Sequence, residues 1–254
     1  MIRLEKTKDR VAVVYLDNPP LNILTLEMTQ CLISLFSEME TDDGIRVVIV
    51  TGAGEKAFCA GADIKEFAAV RDRVTEKKLG KENEALLKIE KLTKPVIAAL
   101  NGITLGGGCE IALACDIRII GENEKIGLPE IRLGVFPGSG GLYRLPRIVG
   151  LSNALEMMYT GNILTSLEAY RIGLVNHVTR PKEALSFAME LASKIAKQPA
   201  EALACIKEGV RKSLEISQED AIRLNLELSE RVFRSPDCEE GVRAFFEKRP
   251  PSFK

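Results

Sequence analysis

NGITLGGGCEIALACDI, residues Asn101–Ile117, puts three consecutive glycines between an apolar segment and a short apolar run that carries a single glutamate, Glu110. The preceding residues KPVIAALNG (Lys94–Gly102) read as a buried strand, CEIALACD reads as a short helix, and IRII (Ile117–Ile120) reads as the next strand. Strand, glycine turn, helix and strand in such close succession are the signature of layered α/β architecture.

Moving toward the amino terminus, VAVVYLD (Val11–Asp17) and Arg46–Gly52 also have strand character. Between them Leu26, Cys31, Leu32, Leu35, Phe36 and Met39 recur at helical spacing. The expected fold class is therefore α/β, built from stacked β/α units that turn at glycine. Beyond Pro146 the pattern becomes helical, through Leu151–Met158, Leu167–Arg171, Ala184–Ala196, Ala200–Ser213 and Ile216–Arg234. In Ala184–Ala196 the residues Leu185, Ala188, Leu191, Ala192 and Ile195 share one helix face. Ser235 followed by Pro236 predicts the start of a last helix. No Gly/Ser-rich linker divides the chain, so residues 1–254 are expected to form one domain, with a β/α core over 1–195 and a helical region over 196–254.

Composition excludes several functions. The 254 residues carry a formal net charge of −1 with acidic and basic side chains interleaved, which lacks the electrostatic footprint of a nucleic-acid binder. A non-catalytic RNA-binding module is the rival from another class, and this charge balance counts against it. The six cysteines form no C-x-x-C pair and have only His177 beside them as a possible metal partner, so buried reduced thiols and no metal site are expected. Charged residues interrupt the first twenty positions, and no run approaches the ~20 apolar residues needed to span a bilayer. The expected location is cytoplasmic, with no membrane association.

The triple glycine can be weighed against known loop chemistries. A dinucleotide fingerprint beginning at Gly106 fails at Ile111, and a P-loop fails at Cys109 and Glu110, whose charge would also repel phosphate. Two readings stay open on the residues alone: a structural turn, or an oxyanion hole in which bare amides at a helix start face an oxygen that gains charge. The second reading requires another amide donor and another acid or base. KAFCAGADIKEF (Lys56–Phe67) offers the Ala62 amide. IGLPEIRLGVFPGSGGLYRLPRIVG (Ile126–Gly150) offers Glu130 and a further glycine-rich bend at Gly138, Gly140 and Gly141, although a lone glutamate there would ordinarily be a solvated loop residue. Ser139 lacks the spacing of a nucleophile elbow, and His177 reads as structural. The charged stretch RDRVTEKKLGKENEALLKIEKL (Arg71–Leu92) reads as a solvated helix.

Four of these stretches, FCAGADIKEF, NGITLGGGCEIALACDIRI, GLPEIRLGVFPGSGGLYRLPRIVG and DCEEGVRAFFEKRPPSF, resemble in order the motifs of the crotonase superfamily, and most closely its enoyl-CoA hydratases. The resemblance implies a spiral of stacked β-β-α turns, a helical carboxyl-terminal trimerisation region, and a homotrimer or a homohexamer made of two trimers. It implies an acyl-CoA substrate, with coenzyme A as part of that substrate and no separate cofactor. The implied oxyanion donors are Ala62 and Gly107, the implied glutamate pair is Glu110 and Glu130, and Gly138 matches the glycine near the catalytic water. Ala62, Asp63, Ile64 and Lys65 would line the coenzyme A site, although Lys65 reads equally as a solvent-facing lysine. Phe245 and Lys248 match positions that can meet the nucleotide of a neighbouring subunit. Arg71–Leu92 becomes the cover of the acyl pocket. Hydration of a 2-enoyl-CoA is the implied reaction, with a Δ3-Δ2-enoyl-CoA isomerase and a specialised hydratase for a branched or cyclic dienoyl-CoA as alternatives. NPPLNIL departs from the hydratase pattern by lacking a basic residue after the prolines, which removes one expected phosphate contact.

Overall fold

Val47–Gly52 is buried along its whole length, so each of its faces must meet a separate hydrophobic layer. The computed structural model, which describes residues 1–253, shows how this is done. Strands β1 (Ile2–Lys6), β2 (Val11–Leu16), β3 (Val47–Gly52), β4 (Ala57–Cys59), β5 (Val96–Leu100), β6 (Ile103–Leu105), β7 (Ile117–Gly121), β8 (Lys125–Gly127), β9 (Ile163–Thr165) and β10 (His177–Thr179) form two sheets. One has the order β1-β2-β3-β5-β7-β10 and is parallel except for the β1–β2 pair; the other has the order β4-β6-β8-β9 and is parallel except for β8–β9. Strands β3, β5 and β7 of the first sheet are each followed within a few residues by a short strand of the second (β4, β6 and β8), and then by a helical segment. The chain therefore winds as successive β-β-α coils, as the resemblance implied.

Side-chain alternation divides the larger sheet between two cores. Val11, Val13, Val47, Ile49, Ile97, Ala99 and Ile119 face helix Ala184–Ile195, whose Ala184, Ala188 and Ala192 lie on the strands with no exposed surface. Small side chains at four-residue spacing let this helix approach the sheet closely. On the opposite face Ala12, Val14, Leu16, Val48, Val50, Val96, Ala98 and Leu100 join the main core, covered by helices Leu26–Glu40, Gly80–Lys91 and Gly107–Ala114. Each fully buried valine, leucine or isoleucine contributes on the order of 2 kcal/mol of transfer free energy, so the parity of the strands is strongly enforced.

Helix ends follow the sequence signals. Thr25 accepts from the Met28 amide at 3.1 Å, and Ser235 caps the last helix, Pro236–Glu247, through the Cys238 amide at 3.2 Å. Helices Ala200–Ser213 and Gln218–Phe233 pack together and present exposed Ile206, Val210, Leu214, Leu226 and Phe233. Two expectations need correction. The helix after the triple glycine begins at Gly107 rather than Cys109, so Gly107 and Gly108 lie within its first turn. Arg71–Leu92 is not one solvated helix: it comprises a 3₁₀ turn (Arg71–Arg73), a π-helical turn (Thr75–Leu79) and helix Gly80–Lys91, with Lys78, Glu82, Ala85, Leu86 and Ile89 buried. Among the described residues no helix is long and apolar enough to cross a membrane.

Candidate active site

The three glycines that open the central helix have different reasons for being bare. Gly106 has φ +52°, a backbone region that favours glycine, and a Cβ there would stand 3.2 Å from Glu130 Oε1. Gly108 lies so close to β4 that a Cβ would fall 2.1 Å from the Cys59 carbonyl oxygen. Gly107 has neither constraint. A Cβ on it would point into the space beside Leu24 and the Ala62 amide nitrogen, 3.5 Å from each. The structural-turn and oxyanion readings are thus divided among neighbours: Gly106 and Gly108 serve the backbone path, and Gly107 borders the open space.

Ala62 reaches that space because Leu24 pairs with its segment as an isolated bridge. The Leu24 amide donates to Gly61 O and the Asp63 amide to Leu24 O, so the Ala62 amide between them points away from the pairing. Nearby, the Gly106 amide donates to Gly127 O and the Glu110 amide to Gly106 O. Among the described residues, the amides of Ala62 and Gly107 donate to no other backbone group. Two free N–H groups converging at the start of a helix form an anion-stabilising pair. Buried Asn22 supports the segment, its amide donating to Ala53 O at 3.0 Å and Ala57 O at 2.7 Å.

Two carboxyls flank the amides. Glu110 is 3 % exposed on the first turn of helix Gly107–Ala114, and its Oε1 accepts from the Gly141 amide at 2.9 Å. Burial pushes its pKa up to about 8; the Gly141 amide offsets part of this, while the Glu130 and Glu82 charges add to the rise. Glu130 opens the 3₁₀ turn Glu130–Leu133, directly after Pro129 and ahead of left-handed Gly134. Burial raises its pKa to about 7, and its Oε2 is buried without a hydrogen-bond partner. The lone loop glutamate is therefore half-buried rather than freely solvated. Desolvation lifts both carboxyls together, and repulsion by Glu130 is a smaller cause at Glu110.

The other expected residues have more varied surroundings. Gly138 adjoins the site, with its carbonyl accepting from Asn83 Nδ2 at 2.9 Å, and a Cβ on it would meet Leu79 at 3.3 Å. The Asp63 carboxylate is occupied as the N-cap of helix Ile64–Ala69, accepting from the Lys65 amide at 2.8 Å, while Ile64 and Lys65 are exposed. Phe245 and Lys248 are not brought to the two amides. They sit at the end of helix Pro236–Glu247, where the Phe245 ring is exposed and packs edge-on against Phe246. His177 is exposed and packs at a tilt against Phe187, with ring centroids 5.0 Å apart. All six cysteines are free, and burial pushes the Cys59 and Cys115 thiols up to about 12. Among the described residues no three potential ligands cluster to hold a metal.

Sequence reasoning missed Lys78 and Glu82, which are buried behind the loop that bears Gly138 and Gly141. A signal was present: Lys78, Glu82, Ala85, Leu86 and Ile89 recur at helical spacing, so the two charged residues extend an apolar stripe.

Comparison with known proteins bears on this geometry. Residues 6–254 match the model of the enoyl-CoA hydratase/isomerase family. The chain is similar to a probable enoyl-CoA hydratase of Bacillus subtilis, with 40% identity over 246 residues covering 96% of this chain and 95% of that one. It is similar to the short-chain-enoyl-CoA hydratase of Clostridium acetobutylicum, with 40% identity covering 97% and 94% of the two chains. Its fold superposes on the crystal structure of an enoyl-CoA hydratase from Bacillus anthracis with a TM-score of 0.96 at 37% identity, covering 100% of this chain and 98% of that one.

Proposed function

Because the chain belongs to the enoyl-CoA hydratase/isomerase family, we propose that it is an enoyl-CoA hydratase that adds water reversibly across the double bond of a 2-enoyl-CoA. The observation that carries this reading is buried Glu110 and half-buried Glu130, both with carboxyls raised by desolvation, beside two amides that have no backbone acceptor.

Addition of water at the β carbon sends charge through the conjugated system to the thioester oxygen. The Ala62 and Gly107 amides stabilise that oxygen without reorienting, and loss of one such donor costs on the order of 3 kcal/mol. Burial lifts both carboxyls into the neutral range, to about 8 and about 7, so they titrate as a pair whose protons can redistribute between them, and the reacting form is the one with a proton on Glu130 and Glu110 ionised. One carboxylate can then accept a proton from water while its partner delivers one to the α carbon. Glu130, beside Gly106 and with an unbonded oxygen, is assigned to the α carbon; Glu110, held by the Gly141 amide, orients the water. Ala62, Asp63, Ile64 and Lys65 would border the coenzyme A moiety, and Gly138 the reacting water.

An isomerase, which moves a proton between two carbons, needs only the acid/base at Glu130. A second carboxyl held buried at Glu110 favours hydration over that alternative. The apolar residues left exposed on helices Ala200–Ser213 and Gln218–Phe233 support assembly as a homotrimer or homohexamer, in which Phe245 and Lys248 would approach a nucleotide bound by a neighbouring subunit. The test is the loss of conjugated-thioester absorbance on linear, branched and cyclic enoyl-CoA substrates. Turnover by the parent, with losses of two or more orders of magnitude in Glu110→Gln and Glu130→Gln, is the expected result. Near-normal rates in both variants would remove the assignment.

A further inference from the structure

Lys78 is the one lysine of the charged stretch with no exposed surface, and it lies in the π-helical turn between the 3₁₀ turn Arg71–Arg73 and helix Gly80–Lys91. Its ammonium donates to Glu66 Oε2 at 2.8 Å and stands 3.1 Å from Glu82 Oε1, an ion-pair distance without a well-directed hydrogen bond. The other oxygen of Glu82 accepts from Ser139 Oγ at 2.6 Å, and both Glu82 and Ser139 are 2 % exposed. Ser139 is held from its other side as well, because Arg144 Nη1 donates to its carbonyl at 3.2 Å. Arg144 is in turn paired with Glu90 at 2.7 Å.

Both ends of this chain reach the proposed reacting groups. Ser139 sits between Gly138 and the Gly140–Gly141 bend, whose last amide holds Glu110. Glu66 lies in the helix capped by Asp63, immediately after Ala62, and its carboxylate also accepts from the Leu26 amide at 3.0 Å. Removing an ammonium and a carboxylate from water costs several kcal/mol, so a buried pair of this kind adds little net stability compared with apolar side chains of the same volume. Its directed contacts instead fix the relative placement of the groups it joins.

We propose that Lys78, Glu82 and Ser139 form a buried clasp of positioning residues, which holds the Gly138–Gly141 bend in register with the Ala62 segment and so sets the placement of the Glu110 carboxyl. The proposal rests on the hydratase reading for its role in turnover, but not for its geometry. Serine at 139 is thus used for its hydroxyl contact to Glu82 and not as a nucleophile.

The groups that face Glu110 are the Glu130 and Glu82 carboxylates and the backbone amides of Gly141 and Ser139, with Cys109 and Tyr143 nearby. Glu82→Gln keeps the acceptor for Ser139 but removes a negative charge, so the Glu110 midpoint falls. Ser139→Ala keeps the charges but loosens the bend, so the Gly141 and Ser139 amides hold the carboxylate less well and the midpoint rises. The experiment uses the full-length protein and variants Ser139→Ala, Glu82→Gln, Lys78→Met and Lys78→Met/Glu82→Gln. Infrared titration of the carboxyl stretch, assigned by its loss in Glu110→Gln, follows Glu110 without substrate, and hydration of crotonyl-CoA gives kcat and KM. The clasp requires opposite midpoint shifts in Glu82→Gln and Ser139→Ala. It also requires a fall in kcat of about 10- to 100-fold in Ser139→Ala with KM unchanged, as expected when a reacting group is misplaced. The double variant should recover much of the kcat lost in Lys78→Met, because the stranded carboxylate is gone.

Lower thermal stability with parental kcat, midpoint and pH profile in Ser139→Ala would overturn the proposal and leave an ordinary structural contact. Ser139→Ala removes only a hydroxyl, so it decides the matter even if Lys78→Met is insoluble. A parent that hydrates no enoyl-CoA would overturn the hydratase reading alone, and the infrared shifts would still decide the clasp.

Discussion

Replacing Glu110 by glutamine should stabilise the protein while abolishing its reaction. The Glu110 carboxyl has an ordinary value of 4.5 and is raised to about 8, mainly by burial. A carboxyl raised in the folded state binds a proton that the unfolded chain releases, so its contribution to stability is full below the ordinary carboxyl range and is lost as pH rises through about 8. At pH 7 the folded protein retains a proton about 2.5 pH units above the ordinary value, a cost of about 3 kcal/mol at 1.36 kcal/mol per unit. Glutamine is always neutral, and its carbonyl can still accept from the Gly141 amide, so the variant is spared this cost. For a chain of this size the gain corresponds to a rise in Tm of about 6–12 °C at pH 7. Thermal unfolding of parent and variant at pH values from about 5 to 8.5, across the window set by the shift, gives the difference in Tm, which should be near zero at the acid end and grow steadily with pH. Hydration of crotonyl-CoA by the variant should fall by about 10²- to 10⁴-fold. Parallel Tm curves, with a constant offset at every pH, would refute the argument that burial of an ionisable Glu110 destabilises the fold.

Other consequences can be checked separately. The pH profile of kcat/KM on crotonyl-CoA should be bell-shaped with its maximum between about 7 and 8, because the two carboxyls titrate as a pair; a flat profile from about pH 6 to 9 would contradict the shared-proton mechanism. Gly108→Ala places a methyl group 2.1 Å from the Cys59 carbonyl, and a loss of about 3 kcal/mol or outright insolubility is expected in chemical denaturation. Gly107→Ala meets nothing closer than 3.5 Å, so it should fold but intrude on the oxyanion space, lowering kcat with little change in Tm. His177→Gln loses a tilted ring contact with Phe187 and should leave kcat within about twofold of the parent, since surface substitutions away from a site have small effects.

The fold was legible where the chemistry is periodic. Near-continuous apolar runs in β2, β3 and β5 mark strands buried on both faces, and the alanine-rich face of Ala184–Ile195 predicts a helix laid against them. The site was legible where bare backbone stands beside a carboxyl, at Gly107 with Glu110 and around Ala62. Burial of Glu130 was less accessible, because Pro129 and the neighbouring Arg132 look like a solvated loop until the tertiary path folds that turn over Gly106. Lys78 and Glu82 were hidden for a related reason. In a run that also contains Lys77, Lys81, Glu84 and Lys88, charge alone says surface, and only pairing across three separate segments makes burial tolerable.

The coiling of the chain has a consequence for how such a site can change. Ala62 follows β4, Gly107 and Glu110 follow β6, and Glu130 follows β8, so neighbouring rungs of the smaller sheet each deliver their own part. Adjacent strands lie about 4.8 Å apart, a spacing dictated by main-chain hydrogen bonds and indifferent to side-chain identity. The distances between the reacting parts are thereby calibrated by the ladder. Exchanging a residue at the tip of one rung alters what that rung contributes while the ruler keeps its graduations, so new chemistry can be tried one coil at a time.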